Sequence, residues 1–221
     1  MCRFYYPDGT SMEGKGTKEA RDAFVDFYSK MYFYLYRDIR REARIEEILA
    51  SDFLGEDEIR EILQWKTGGK YKDGVINIPR SKYSICVNEV YEAVGGRKEK
   101  CDSEEERIGL LKRVINCRGI GSVYALTILY FVTKGNCPIY DKYADLALRA
   151  IVAKPSQFPS VLAYEELSSN VEKAYERYKE YEGLLQDVFG KEAYRKSRDI
   201  DRAVWTYGHL FNNTEANKER G

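Results

Sequence analysis

Apolar positions recur at three- and four-residue steps along most of this chain, which is the period of amphipathic helices. Between Lys18 and Arg44, Phe24, Phe27, Tyr28, Met31, Tyr34 and Leu35 form a broad aromatic stripe, predicting a helix with that stripe turned to the core. A second helix is expected near Glu56 to Lys66, with Ile59, Ile62 and Leu63 on one side and Gly68-Gly69 as its stop. Tyr71 to Pro79, carrying Val75, Ile76 and Ile78, is the one segment that reads as extended. Ser81 is expected to open a helix bearing Val87, Val90, Tyr91 and Val94, ended by Gly95-Gly96. Ser103 and Glu106 have the spacing of a capping box, in which each side chain accepts the other's backbone N–H. The helix they start carries Ile108, Leu111, Val114 and Ile115 inward. Further helices are expected from about Ser122 to Thr133, Asp141 to Val152, Ala163 to Gly183 in one or two pieces, and Ser197 to Phe211. Pro155 and Pro159 mark the main break, and Asn212 to Gly221 reads as a frayed polar tail. The chain is therefore expected to be all-α.

Composition narrows the class. A chain of 221 residues, 43% of them apolar, describes one domain or two small ones, and buries roughly 70–75% of its unfolded surface without a staple. No run approaches the ~20 apolar residues of a membrane span, and no secretory layout stands at the N-terminus, so an intracellular protein with no membrane partner is expected. Cys2, Cys86, Cys101, Cys117 and Cys137 are unevenly spaced without a C-x-x-C pair, and His209 is the single histidine. That pattern implies no metal and no cofactor, reads the cysteines as small buried hydrophobes, and disfavours a Ser-His-Asp or Cys-His hydrolase. Charge sums to zero over 36 bases and 36 acids but is uneven along the chain. Leu110 to Ala150 holds six bases against two acids, while Ala163 to Ala193 holds eight acids against four bases. One part of the surface is expected to attract polyanions; two ordinary solvated helix faces would give the same counts.

The chemistry concentrates in two motifs. Cys117-Arg118-Gly119-Ile120-Gly121 joins two helical patterns by a link short enough only for a tight hairpin. Its glycines are free to take positive φ, Ile120 plugs the space between helices, and the turn offers N–H groups and the positive end of the Ser122 helix dipole to one spot. A phosphate would bind there without regard to base identity, and Arg118, with Lys112 or Arg113 nearby, would add salt-sensitive attraction. A plain helix–helix turn is the bland alternative. The second motif is Pro138-Ile139-Tyr140-Asp141, twenty residues beyond Gly121, in which Asp141 stands where a helix should begin and would serve at least as its N-cap.

Gly119-Ile120-Gly121 followed at this spacing by Pro138-x-x-Asp141 resembles the helix-hairpin-helix DNA glycosylase superfamily, specifically over about Leu110 to Leu148. Asp201 to Gly208 is similar to the closing helix of such proteins. The resemblance implies a two-lobed, multi-helix unit spanning residues 1–221, with the helix-hairpin-helix at about 104–134, the Asp-bearing helix at 141–153 and C-terminal helices at 163–211. It implies a DNA N-glycosylase of base-excision repair, whose partner is double-stranded DNA with a damaged base flipped from the stack. On that reading Arg118, Gly119, Ile120, Gly121 and Ser122 hold the DNA backbone. Asp141 stabilises charge growing on the sugar or orients a water, with Asp145 one turn on as the lower-ranked alternative. Members that also cut the strand carry a lysine two residues after the second glycine. Val123 stands there, so a monofunctional enzyme using water is expected, with Lys142 badly aimed to substitute. Cys117-Arg118 replaces the usual Leu-Pro, and the iron–sulfur cysteines of some relatives are missing. Tyr140, Trp205 and Tyr207, with Trp65, are candidate rings for a base pocket. The competing readings are a non-catalytic helix-hairpin-helix DNA-binding protein and a helical interaction domain.

Overall fold

The structure, a computed structural model, describes residues 4–5, 11–12, 17–36, 38–96, 101–153, 166–190, 193–196 and 198–218. Helices dominate them: α1 (Lys18–Leu35), α2 (Ile39–Ala50), α3 (Glu56–Thr67), α4 (Val87–Val94), α5 (Glu104–Ile115), α6 (Ser122–Val132), α7 (Lys142–Val152), α8 (Val171–Phe189), α9 (Ala193–Lys196) and α10 (Arg198–Lys218). Short strands β1 (Phe4–Tyr5) and β2 (Ser11–Met12) pair antiparallel, and β3 (Lys70–Lys72), β4 (Val75–Asn77) and β5 (Ser84–Cys86) form an antiparallel sheet in that order. None of the described helices is long and apolar enough to cross a membrane.

The chain divides into two compact units. Unit 1 comprises Met1–Arg37, Tyr140–Glu166 and Tyr178–Gly221; unit 2 comprises Asp38–Ile139 and Leu167–Arg177. In unit 1, α10 packs along both α1 and α7. Phe24 and Tyr28 of α1 meet Tyr207 of α10 with ring centroids 5.4 and 5.2 Å away, and Phe189 closes on Phe24 at 6.3 Å. Backbones touch where α10 crosses α7: a Cβ built on Gly208 would lie 1.9 Å from the Tyr143 carbonyl oxygen, so only glycine fits. In unit 2, α6 is apolar around its whole circumference and is buried accordingly, with α5 and α3 against it. The buried Glu42 carboxylate accepts the Trp65 indole N–H at 2.6 Å, and Arg44 pairs with Glu58 and Glu61, tying α2 to α3.

Several boundaries differ from the sequence expectations, each for a local reason. The Lys18–Arg44 stripe is two helices, because Asp38 caps a new one through the Arg41 N–H, leaving Tyr34 and Leu35 exposed. Ser81 opens no helix: Ser84–Cys86 pairs with β4 first, and α4 begins at Val87. The extended segment resolves into a hairpin about Asp73-Gly74, whose φ values of 52° and 81° suit a two-residue turn of type I′. The helix sought at Ala163–Gly183 runs from Val171 to Phe189, and the last one continues to Lys218 instead of ending at Phe211. Pro155, Pro159 and Ala163 lie outside the described residues. The Ser103–Glu106 capping box forms, with both N–H bonds at 3.1 Å.

Candidate functional site

The hairpin belongs to unit 2. α5 ends at Ile115, Cys117 donates its N–H to the Val114 carbonyl, Ile120 donates to Cys117, and α6 starts at Ser122. Of the two glycines only Gly119 has positive φ, at 80°; Gly121 is the extended N-cap of α6, at −104°. Gly119 is demanded by packing: an added Cβ would meet the Ser84 carbonyl oxygen at 2.2 Å, and Cys86 of the same strand donates its N–H to the Arg118 carbonyl at 3.4 Å. The hairpin is therefore laid along the edge of β5. Ile120 is buried between the helices.

Its donors are partly committed. The Arg118 N–H goes to Glu89 Oε2 at 2.7 Å, so one amide that the sequence offered to a phosphate already holds a carboxylate. Ser122 Oγ donates to the Ser168 carbonyl at 2.6 Å, which leaves Ser122 only its N–H for a ligand. No side chain caps α6, so the N–H groups of its first turn, next to the exposed Gly121, have no capping side chain. The Arg118 side chain is exposed and, among the described residues, no acid pairs with it. Lys112, by contrast, is engaged by Glu172 at 2.6 Å, and Arg113 donates to the Ala93 carbonyl at 3.2 Å.

Asp141 belongs to unit 1. It is the N-cap of α7, its Oδ1 accepting the Tyr143 N–H at 2.9 Å, and it is half-buried. Its charge reaches His209, one of a group of rings that the Gly208 crossing brings together. Trp205 and His209, one turn apart on α10, stack with centroids 5.0 Å apart and planes 7° from parallel. The Tyr143 ring meets His209 edge-on at 4.9 Å and Trp205 at 6.2 Å, and the exposed Lys142 ammonium lies over Tyr143 at 4.9 Å. Burial holds the His209 imidazole below its ordinary pKa; the Asp141 carboxylate opposes that shift and Lys142 reinforces it. Asp145 is sealed in the core and paired with Arg149 at 2.9 Å, so it is not a reactive alternative to Asp141.

The candidate pocket rings divide by exposure. Tyr140 is 0% exposed, edge-on to Tyr181 at 5.1 Å, and Tyr207 is 3% exposed between Phe24 and Tyr28. Both are core rings, a correction to their candidacy that follows from the apolar burial surrounding them. Trp65 is held by Glu42. Trp205 is half-exposed and packs on His209, Tyr143 and Tyr32. Tyr143 and His209 went unrecognised from sequence; the signal for them was the four-residue spacing Trp205 to His209 around a helical glycine. Among the described residues no group of His, Cys, Asp and Glu could hold a metal ion. Comparison with models of known protein families, with curated proteins and with solved structures returned no match.

Proposed function

We propose that this protein is a monofunctional DNA N-glycosylase of the helix-hairpin-helix type, with two lobes, acting on a damaged base in duplex DNA. The observation that carries the reading is the half-buried Asp141 carboxylate at the N-terminus of α7, bonded to the Tyr143 N–H and felt by the His209 imidazole that stacks on Trp205. A flipped base needs an aromatic face to replace the stacking it loses, and a sugar losing its base needs a negative charge near the developing cation. Trp205 supplies the face and Asp141 the charge. The uncapped amides of Gly121 to Tyr124, with Arg118, hold the backbone. Val123 offers no amine at the lyase position, and Lys142 lies over Tyr143, so water is the nucleophile.

The test is release of alkylated, oxidised or deaminated bases from duplex oligonucleotides. Asn caps a helix as well as Asp, so Asp141→Asn keeps the fold and removes only the charge. Release should fall on the order of 10²-fold or more; release that survives Asp141→Asn unchanged overturns the mechanism.

A second reading is a non-catalytic DNA-binding protein, favoured by the Asp141–Tyr143 capping bond, which alone explains an aspartate there. It predicts salt-sensitive binding, no base release with any lesion, and a stability loss of about 0.5–2 kcal/mol in Asp141→Ala.

A further inference from the structure

The sheet of unit 2 and the hairpin form one surface, because the hairpin backbone continues the sheet beyond β5. The register sets which side chains share each side. Tyr71, Ile76 and Ile85 are paired across the sheet, and both isoleucines are fully buried, so this row faces the core. The alternate rows, Lys70–Asn77–Ser84 and Lys72–Val75–Cys86, therefore face outward and end at Gly119 and Arg118. Strands lie about 4.8 Å apart, so three strands and the hairpin span about 14 Å.

The segment that builds that face is cationic, with Lys70 and Lys72 on its outward rows and Arg80 and Lys82 in the connection from β4 to β5. Between Lys70 and Cys86 stand Lys70, Lys72, Arg80 and Lys82 against one acid, Asp73. All four bases are exposed, and among the described residues no acid pairs with Lys70, Arg80 or Lys82. Lys72 and Asp73 approach only to 3.9 Å at a freely solvated tip, a contact of negligible strength. Glu89, an acid by the hairpin, accepts the Arg118 N–H. Exposed bases at β3, in the β4–β5 connection, where Lys82 lies over Tyr83, and at Arg118 together are complementary to a row of anions. A nucleic-acid strand supplies one phosphate per about 3.4 Å of axis, so several would lie along about 14 Å of protein.

The geometry points to the outward face of β3–β5 and the connection between β4 and β5 as a second phosphate-backbone contact, with Lys70 and Lys72 on the face and Lys82 in the connection extending onto duplex DNA the grip begun at Arg118 and Gly121. This inference rests on the DNA-binding part of the proposed function and goes beyond it, since the hairpin alone would contact only the phosphates at its tip.

The experiment is fluorescence anisotropy of the full chain with a short labelled duplex between about 50 and 200 mM salt. It compares the protein with Lys70→Ala/Lys72→Ala/Lys82→Ala, with Arg118→Glu and with Asn77→Lys, circular dichroism showing that each is folded. The triple variant should bind roughly 10–100-fold more weakly near 0.1 M salt, and its salt slope should drop by about 2–3, close to 0.9 for each phosphate no longer neutralised. Asn77→Lys, which adds a cation mid-face, should bind more tightly and steepen the slope. If the triple variant matches the parent in affinity and slope while Arg118→Glu weakens binding, the sheet contact is wrong and the hairpin reading stands. Failure of the parent chain to bind duplex DNA at any salt would remove both.

Discussion

Substituting alanine for Gly208 tests the contact that brings Trp205 and His209 to Tyr143. The new Cβ would lie 1.9 Å from the Tyr143 oxygen and 2.6 Å from its carbonyl carbon, where an uncompressed C···O approach is about 3.3 Å. Both clashing atoms are backbone, so no rotamer relieves them and α10 must retreat by roughly 1.4 Å along the α7 seam. A gap of that size costs the facing side chains a large part of their dispersion attraction, and overpacking of this kind costs about 3 kcal/mol. Alanine's better helix propensity returns about 1 kcal/mol, leaving a net loss of about 2 kcal/mol and a fall in Tm of about 4–8 °C. Gly183, inside α8 with nothing within 4 Å of an added Cβ, is the matched control. There the propensity gain stands alone, and Gly183→Ala should stabilise by about 0.5–1 kcal/mol. Thermal melts followed by circular dichroism would read both. A Gly208→Ala protein as stable as its parent, or a Gly183→Ala protein destabilised as much, would refute the argument from backbone contact.

Four further outcomes are expected. His209 is the single histidine, so its imidazole proton resonance is unambiguous; its midpoint should lie below 6.5 and move further down in Asp141→Asn, which deletes the opposing carboxylate. Because the folded value is depressed, the stability it contributes is present above the unfolded pKa and is lost as pH falls through the folded one. Burial, reinforced by Glu89 and Cys86, pushes the Cys117 thiol up to about 11, so at about pH 8 iodoacetamide should label half-exposed Cys86 well before Cys117. That raised value also predicts stability lost as pH climbs from about 9 to about 11, in an alkaline melt series. Ser103→Ala, which removes the hydroxyl capping α5 at the Glu106 N–H, should lower stability by about 0.5–2 kcal/mol in urea titration.

Much of the helical framework was legible because its signals are local. Ser103 and Glu106 announce a cap three residues apart, Gly68 stops α3 in the left-handed conformation, and Asp141 sits one residue before α7. The hairpin Lys72-Asp73-Gly74-Val75 carried an equally local signal in its Asp-Gly pair, masked by the short strands on either side. What escaped depends on partners distant in sequence. Tyr140 and Tyr207 have the composition of pocket rings, and only the packing of Tyr181, Phe24 and Tyr28 against them makes them core. The Glu89 carboxylate on the Arg118 amide lies twenty-nine positions away, and no periodicity encodes it. Gly208 reads as a helix-weakening residue until Tyr143 is placed against it.

The order in which the two units appear during synthesis follows from their segmentation. Asp38–Ile139 is one uninterrupted stretch and emerges from the ribosome almost complete as a body, lacking only Leu167–Arg177. α1 emerges before the other described helices, yet its apolar side belongs against α10, which follows far later in the sequence. Its aromatic stripe must therefore stay uncovered until α10 has been made, which leaves the nascent α1 exposed to aggregation and to holding chaperones.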